Sequence, residues 1–403
     1  MKKTKILYIT TAYYPNMKGG SERSLKLFVD EIVKNKEFEC VVLSFDATSK
    51  KTTEEYDGNV KIIRVKKIKL NPNTLAYNIS LLLNQKIIKK ENPDIIHIYN
   101  TWQIPGSYFL KKYGKVVATL NNYFPICAIG TTKDDLLGGS NYSFARIMRG
   151  NLNSIKGKFI KKSASSFVYA FYNKINLYLS KKIDGYTTYT YGAKTIYKRA
   201  GFDENKIFVI PSVIDKKNYN LPKIKRKNNI VLFVGGMIES KGVKELLEAI
   251  SLIKNKNIEF RIIGKGYLLE GLQRFSKKNN LNVKFYGKLE PKEIKKHYLE
   301  STLLVHSSLF PEPLSRVWLE ALNNNIPIIC SETLTSKDCL KDNAVFYNKN
   351  NPQELAAKIS DFFDGKLKIK SQKNKAYIFK SKSIKMMTDF YKKWEKKNQK
   401  SFG

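Results

Sequence analysis

Acidic residues are scarce in this chain. Thirty-five Asp and Glu stand against 73 Lys and Arg, a formal net charge of +38 over 403 residues. Such an imbalance attracts polyanions and anionic bilayers without specifying a fold. A lysine-rich compositional bias would give the same charge with no partner at all. Cysteine is also rare: Cys40, Cys127, Cys330 and Cys339 are scattered, with no C-x-x-C spacing. This argues against a disulfide framework or a zinc site and for a reducing cytosol. Three histidines leave little scope for histidine-based metal chemistry. Long apolar runs are missing too, since none reaches the roughly 18 residues that a membrane span needs. The N-terminal MKKTKILYITTAYYP is too short and polar in its apolar part for a signal peptide, and no small-residue cleavage site follows it. It reads better as a first β-strand. The expected location is the cytoplasm, with a peripheral place on the inner face of the cell membrane open to so cationic a protein.

What is present is a globular composition, 42% hydrophobic, on a chain long enough for two domains. Short β-branched runs alternate with longer amphipathic stretches, the signature of βαβ units and an α/β class. Strands are expected near Lys5–Thr10, Cys40–Ser44, Val60–Val65, Asp94–Ile98, Val116–Leu120, Gly185–Thr188 and Ile207–Ile210, with helices over Glu22–Val33 and Leu75–Lys89. The rhythm restarts at Asn229, with strands at Ile230–Val234, Glu259–Ile263, Val283–Tyr286, Leu303–His306 and Pro327–Cys330. Helices are expected between them at Val243–Lys254, Leu268–Asn279, Pro291–Leu299 and Ser315–Asn323. This divides the chain into an N-terminal domain, 1–215, a linker, 216–228, and a second domain, 229–380. The linker has six basic residues, no acidic one, and Pro222. Both domains are expected to be doubly wound parallel sheets, with ligands beyond the C-terminal strand ends and at the cleft between the domains.

Two segments depart from the rhythm. Residues 131–182 hold ten Lys/Arg and two Asp among aromatics such as Phe159, Phe167, Phe171, Tyr172 and Tyr178. Rings among cations suit a membrane interface or a nucleic-acid surface, and equally an insertion packed on the first domain. The tail from Lys366 to Lys400 carries thirteen lysines and two acids. Its last part, 381–403, reads as a helix that docks an apolar stripe on the body, the N-terminal domain being one candidate, with lysines facing outward.

Candidate chemistry lies at strand-to-helix turns. Gly19-Gly20 follows the first strand and opens the first helix, where bare backbone and free N–H groups favour phosphate. The second domain begins IVLFVGGMIESKG, placing Gly235-Gly236 at a strand end and Lys241 before the next helix. RIIGKGY and VKFYGKL repeat the strand-to-glycine turn, the latter putting Lys288 and Leu289 at the rim. FPEPLSRVWLEAL sets Glu312 just before a helix that begins near Leu314 and Ser315, and Glu320 inside it. A carboxylate among Val317, Trp318, Leu319 and Ala321 needs a partner.

In this order and spacing, the Gly19-Gly20 loop, Pro93–His97, VIPSVID, VGGMIESKG, Gly264–Gly266, FYGKL and the E-x7-E stretch resemble glycosyltransferase family 4 over nearly the whole length. The resemblance implies a GT-B fold, two Rossmann-like domains facing across a cleft. It implies a retaining, usually metal-free transfer from a nucleoside-diphosphate sugar, with no cofactor. The C-terminal domain would bind the donor and the N-terminal domain the acceptor, a glycan or a lipid-linked or polysaccharide chain. By position, Glu312 would hold hydroxyls of the donor sugar and Glu320 the ribose. Amides of Leu314, Ser315 and Arg316, with Lys241, would hold the diphosphate, and Gly20 would close on it. Tyr286–Leu289 would flank the base.

Two positions depart from the pattern. Gly236 stands where many members carry arginine, which removes one diphosphate cation. Asn121, in VVATLNNYFPIC, stands where members usually carry histidine near the donor sugar; an amide can donate and accept but cannot change charge near neutral pH. The expected activity is sugar transfer, with an anionic membrane surface as partner and nucleic acid an unlikely one. The alternatives are a nucleic-acid-modifying glycosyltransferase, a basic nucleic-acid-binding protein, and a non-catalytic scaffold of the same fold.

Overall fold

The computed structural model describes residues 3–17, 19–48, 50–70, 73–127, 159–213, 229–369 and 380–399. The expected linker, 216–228, lies outside them, as does the expected insertion up to residue 158 and the tail from 370 to 379. The described residues form two compact units. One runs through Val213 and takes in the last helix from Lys380; the other spans residues 229–369.

In the first unit the strands are β1 (Thr4–Thr10), β2 (Phe38–Ser44), β3 (Thr53–Asp57), β4 (Val60–Arg64), β5 (Ile95–Ile98), β6 (Lys115–Thr119), β7 (Gly185–Thr188) and β8 (Ile207–Val209). Their order is β3-β4-β2-β1-β5-β6-β7-β8, parallel except where β3 pairs antiparallel with β4. β3 was not expected from the sequence. TEEYD has no apolar alternation and is almost wholly exposed, because an edge strand needs only backbone pairing. A single helix over Leu75–Lys89 was also expected; instead it breaks at Asn84 into Asn73–Leu83 and Gln85–Glu91. The Asn84 amide turns back to the Ser80 carbonyl at 2.7 Å, the kind of local side-chain bond that competes with helix.

The last helix, Lys380–Gln399, belongs to this unit. It buries Met387, Phe390, Tyr391 and Trp394 in one cluster with Ile6, Tyr8, Val42 and Ile95. A Cβ at Gly185 would stand 2.4 Å from the Trp394 ring, so β7 has glycine where the indole lies across it. His97 ties this helix to the sheet. It is fully buried, with Nδ1 2.6 Å from the Tyr391 hydroxyl and Nε2 2.8 Å from Thr119 Oγ1. Burial lowers its pKa to about 3.

A histidine whose folded pKa lies below its unfolded value takes up its proton only on unfolding. Stability from His97 is therefore complete above about pH 6.5 and declines as pH falls toward 3. Between pH 7 and 5, where few carboxylates titrate, the loss from this one group is ~2 kcal/mol. Urea midpoints should show it, and His97→Gln should flatten the slope; an unchanged slope would remove His97 as its source.

The second unit is a six-stranded parallel sheet. β9 (Ile230–Val234), β10 (Glu259–Ile263), β11 (Val283–Gly287), β12 (Leu303–His306), β13 (Ile328–Ser331) and β14 (Ala344–Tyr347) run in the order β11-β10-β9-β12-β13-β14. Each unit is thus doubly wound, as expected. The strand order reverses between β1 and β5 in the first unit and between β9 and β12 in the second. At such switch points the connections leave to opposite faces and open a crevice beyond the strand ends.

Candidate active site

The turn after β9 and the turn after β12 meet at the switch point of the second unit. Beyond Gly235-Gly236 the chain makes a short 3-10 turn, Glu239–Lys241, closed by Gly242 at φ +62°. A Cβ there would fall 1.9 Å from the Ser307 carbonyl, so only glycine lets the turn lie on the other loop. Three hydrogen bonds then join the loops. Leu309 N donates to Ser240 O at 2.9 Å, Ser307 Oγ to Lys241 O at 3.0 Å, and Ser308 Oγ to Ser240 O at 3.2 Å.

This stapling brings Lys241 and Glu312 together. Lys241 Nζ lies 2.7 Å from Glu312 Oε1 and 5.1 Å from the Phe310 ring centroid. His306, the last residue of β12, places Nε2 3.1 Å from the same oxygen. Glu312 is only 8% exposed. Burial alone would raise its pKa, but Lys241 and His306 outweigh that and hold the carboxyl well below the usual carboxylate range. Both contacts fall on Oε1, which leaves Oε2 without a donor among the described residues. His306 carried no signal as a site residue in the sequence reading; its place as the polar last residue of a buried central strand is the feature that marks it.

Helix Arg316–Asn323 starts just beyond. Its N-cap, Ser315, makes no side-chain cap bond to the helix start, so no capping hydroxyl covers the first turn. Glu320 Oε2 accepts from the Tyr298 hydroxyl at 2.8 Å, which fixes the carboxylate's direction. Lys288 is exposed after β11, while Leu289 is half buried against the core. Gly264, at φ +144°, passes so close to the Gly235 carbonyl that a Cβ would lie 1.8 Å from it.

Gly236 is different. A Cβ there would meet nothing closer than Ile238 Cγ1 at 3.7 Å, ordinary van der Waals distance. Gly236→Arg is therefore expected to fold unchanged and to bind nucleoside diphosphates several-fold more tightly, by adding one charge-assisted contact. Thermal shifts with UDP, GDP and ADP check this; a collapse in melting temperature without ligand would contradict the open space.

Gly20 and Asn121 stand in the first unit. Gly20 is the first residue of helix Gly20–Ile32, and its carbonyl accepts from Ser24 Oγ at 3.0 Å. Asn121, just beyond β6, donates its amide to Tyr99 O at 2.6 Å. Asp46 and Arg64 also escaped the sequence reading. Asp46 Oδ2 accepts from Tyr13 N at 3.2 Å, and Arg64 Nη1 reaches both Asp46 oxygens at 2.8–2.9 Å. Together they anchor the loop after β1 from β2 and β4, which no local pattern could show.

Two family models match in sequence. Glycosyltransferase Family 4 covers residues 18–218, and Glycosyl transferases group 1 covers residues 215–382. This chain belongs to the family 4 glycosyltransferases. A curated relative, an uncharacterized glycosyltransferase of Methanocaldococcus jannaschii, is 28% identical over 361 residues, 87% of this chain and 86% of its own. Spore coat protein SA of Bacillus subtilis is 29% identical over 145 residues, 33% of this chain and 38% of its own. Among solved structures, Anabaena HepE in complex with UDP superposes with a TM-score of 0.62 at 14% identity, covering 99% of each chain. WaaG, described as a glycosyltransferase involved in lipopolysaccharide biosynthesis, gives 0.64 at 14% identity, over 95% of this chain and 99% of that one. The fold of this glycosyltransferase is accordingly GT-B.

Proposed function

We propose that this glycosyltransferase moves a hexose-type sugar from a nucleoside diphosphate to a lipid-linked or polysaccharide acceptor, with retention and without a metal. The observation that carries the reading is the buried Glu312 carboxylate held between Lys241 and His306 at the switch point of the donor unit. Glu312 accepts hydroxyls of the sugar. Lys241, already positioned by Glu312, supplies charge to the leaving diphosphate with the amides of Leu314, Ser315 and Arg316, and such pre-organised charge favours the state in which negative charge develops. Glu320, steered by Tyr298, accepts the ribose hydroxyls, and Lys288 and Leu289 flank the base.

Structures of HepE with UDP and with UDP-glucose support a nucleotide-sugar donor by likeness of fold. The lipopolysaccharide role of WaaG supports an acceptor of the lipid-linked class. The enzyme would work at the cytoplasmic face of the membrane, with no cofactor.

The test is a panel of UDP-, GDP- and ADP-sugars offered to the pure protein, following thermal stabilisation and donor hydrolysis. One base should stand out in both. A flat response to every nucleotide would sink the transferase reading.

A further inference from the structure

Over residues 171–178, one side of helix Phe159–Ser180 faces solvent and carries exposed apolar side chains. Phe171, Ile175 and Tyr178, spaced i, i+4, i+7, are 59%, 42% and 62% exposed and so form a stripe along the helix. Lys174 lies within the stripe and Lys182 follows it, both exposed, with Lys182 Nζ 5.1 Å from the Tyr178 ring. No Asp or Glu occurs anywhere in FIKKSASSFVYAFYNKINLYLS. The inward side is already committed, since Ala170, Asn173, Asn176 and Ser180 are buried.

The patch continues onto the neighbouring turn, Tyr108–Leu110. Lys111 Nζ donates to Lys182 O at 3.0 Å and pairs with Asp184 at 3.3 Å, which fixes this turn beside the end of the helix. Tyr108 and Phe109 are 36% and 47% exposed and meet edge to face at 5.3 Å. Lys112 follows them, also exposed. Exposed rings gathered beside lysines, with the nearby Asp184 already taken, are costly in water and suited to the headgroup region of a bilayer.

We propose that the stripe Phe171, Ile175 and Tyr178, extended by Tyr108 and Phe109 and edged with lysine, docks this protein on an anionic bilayer with the helix lying in the interface plane. The proposal rests on the reading of a membrane-held acceptor, and it names the face that meets the membrane. Lipid fits better than nucleic acid. Ile175 cannot stack on a base, and the cations at the stripe are all lysine, with no guanidinium to fork onto a phosphate or a base edge. No helix among the described residues is long and apolar enough to cross a membrane, so attachment by this face is of the interfacial kind.

The full chain should co-sediment with phosphatidylcholine vesicles containing phosphatidylglycerol, not with phosphatidylcholine alone, and should come off as salt rises. Exchanging all three stripe residues for serine (F171S, I175S, Y178S) should lower partitioning at least about tenfold, with melting temperature and donor hydrolysis unchanged. Exchanging the lysines (K112Q, K174Q, K182Q) should weaken binding and flatten its salt dependence. Wild-type binding by the serine variant would overturn the proposal. So would a single-stranded oligonucleotide whose capture that variant loses while it keeps its vesicles. Donor hydrolysis on the same preparations separates the two ideas. A nucleotide response without vesicle binding sinks the docking face alone, whereas vesicle binding without a nucleotide response sinks the transferase reading alone.

Discussion

Glu312→Ala is expected to cut transfer, as kcat/KM, on the order of 100-fold or more, the scale at which a pre-organised polar contact in a buried site is felt. It should not weaken binding of the free nucleoside diphosphate. In the native site Glu312 partly neutralises Lys241 across 2.7 Å. Without it the lysine charge faces the diphosphate alone, so nucleotide binding is kept or tightened while transfer is lost. This divergence separates a sugar-holding glutamate from a merely structural one, whose loss would weaken both together. Glu312→Gln should fall between, since an amide of the same size still accepts but no longer steers the lysine. Because Lys241 and His306 hold the carboxyl low, the charge persists throughout the neutral range, and stability from the pair is lost only as pH falls below the ordinary carboxylate range. Transfer within about threefold of wild type in Glu312→Ala would refute the assignment.

The second large effect concerns the last helix. Met387, Phe390, Tyr391 and Trp394 are each at most 6% exposed. At ~1.5–3 kcal/mol for each fully buried side chain, they contribute on the order of 10 kcal/mol, comparable to the whole stability of a domain. A chain stopped after residue 379 should therefore lose the fixed packing of the first unit, seen as loss of its near-ultraviolet circular dichroism and of amide protection in β1 and β5. Trp394→Ala alone should cost ~3–5 kcal/mol, because the Gly185 backbone beneath the ring cannot close the space. A truncated chain that melts within ~2 °C of the full one would contradict this.

The fold was largely legible in the sequence because parallel strands buried on both faces are near-continuous apolar runs bounded by turns. ILYIT, IVLFV, FRII and LLVH declare themselves. TEEYD does not, since an exposed edge strand needs no apolar side chain. The break at Asn84 was equally hidden, because the competing bond to Ser80 is a matter of local geometry within an unbroken helical pattern.

The proposed donor residues followed a similar division. Spacing in FPEPLSRVWLEAL and IVLFVGGMIESKG, with its likeness to family 4, placed Glu312 and Lys241 at strand-to-helix turns and Glu320 inside the helix that follows. By itself the sequence determined the α/β class, the division into two α/β halves and the turns at which chemistry could sit, because these show in local apolar runs and the residues that punctuate them. Only the tertiary structure decided that Lys241 and His306 share one oxygen of Glu312, that Tyr298 steers Glu320, and that Asp46 and Arg64 anchor the loop after β1. These partners lie on different strands and helices, and what joins them is the parallel sheet order, a property of long-range pairing that no local pattern encodes.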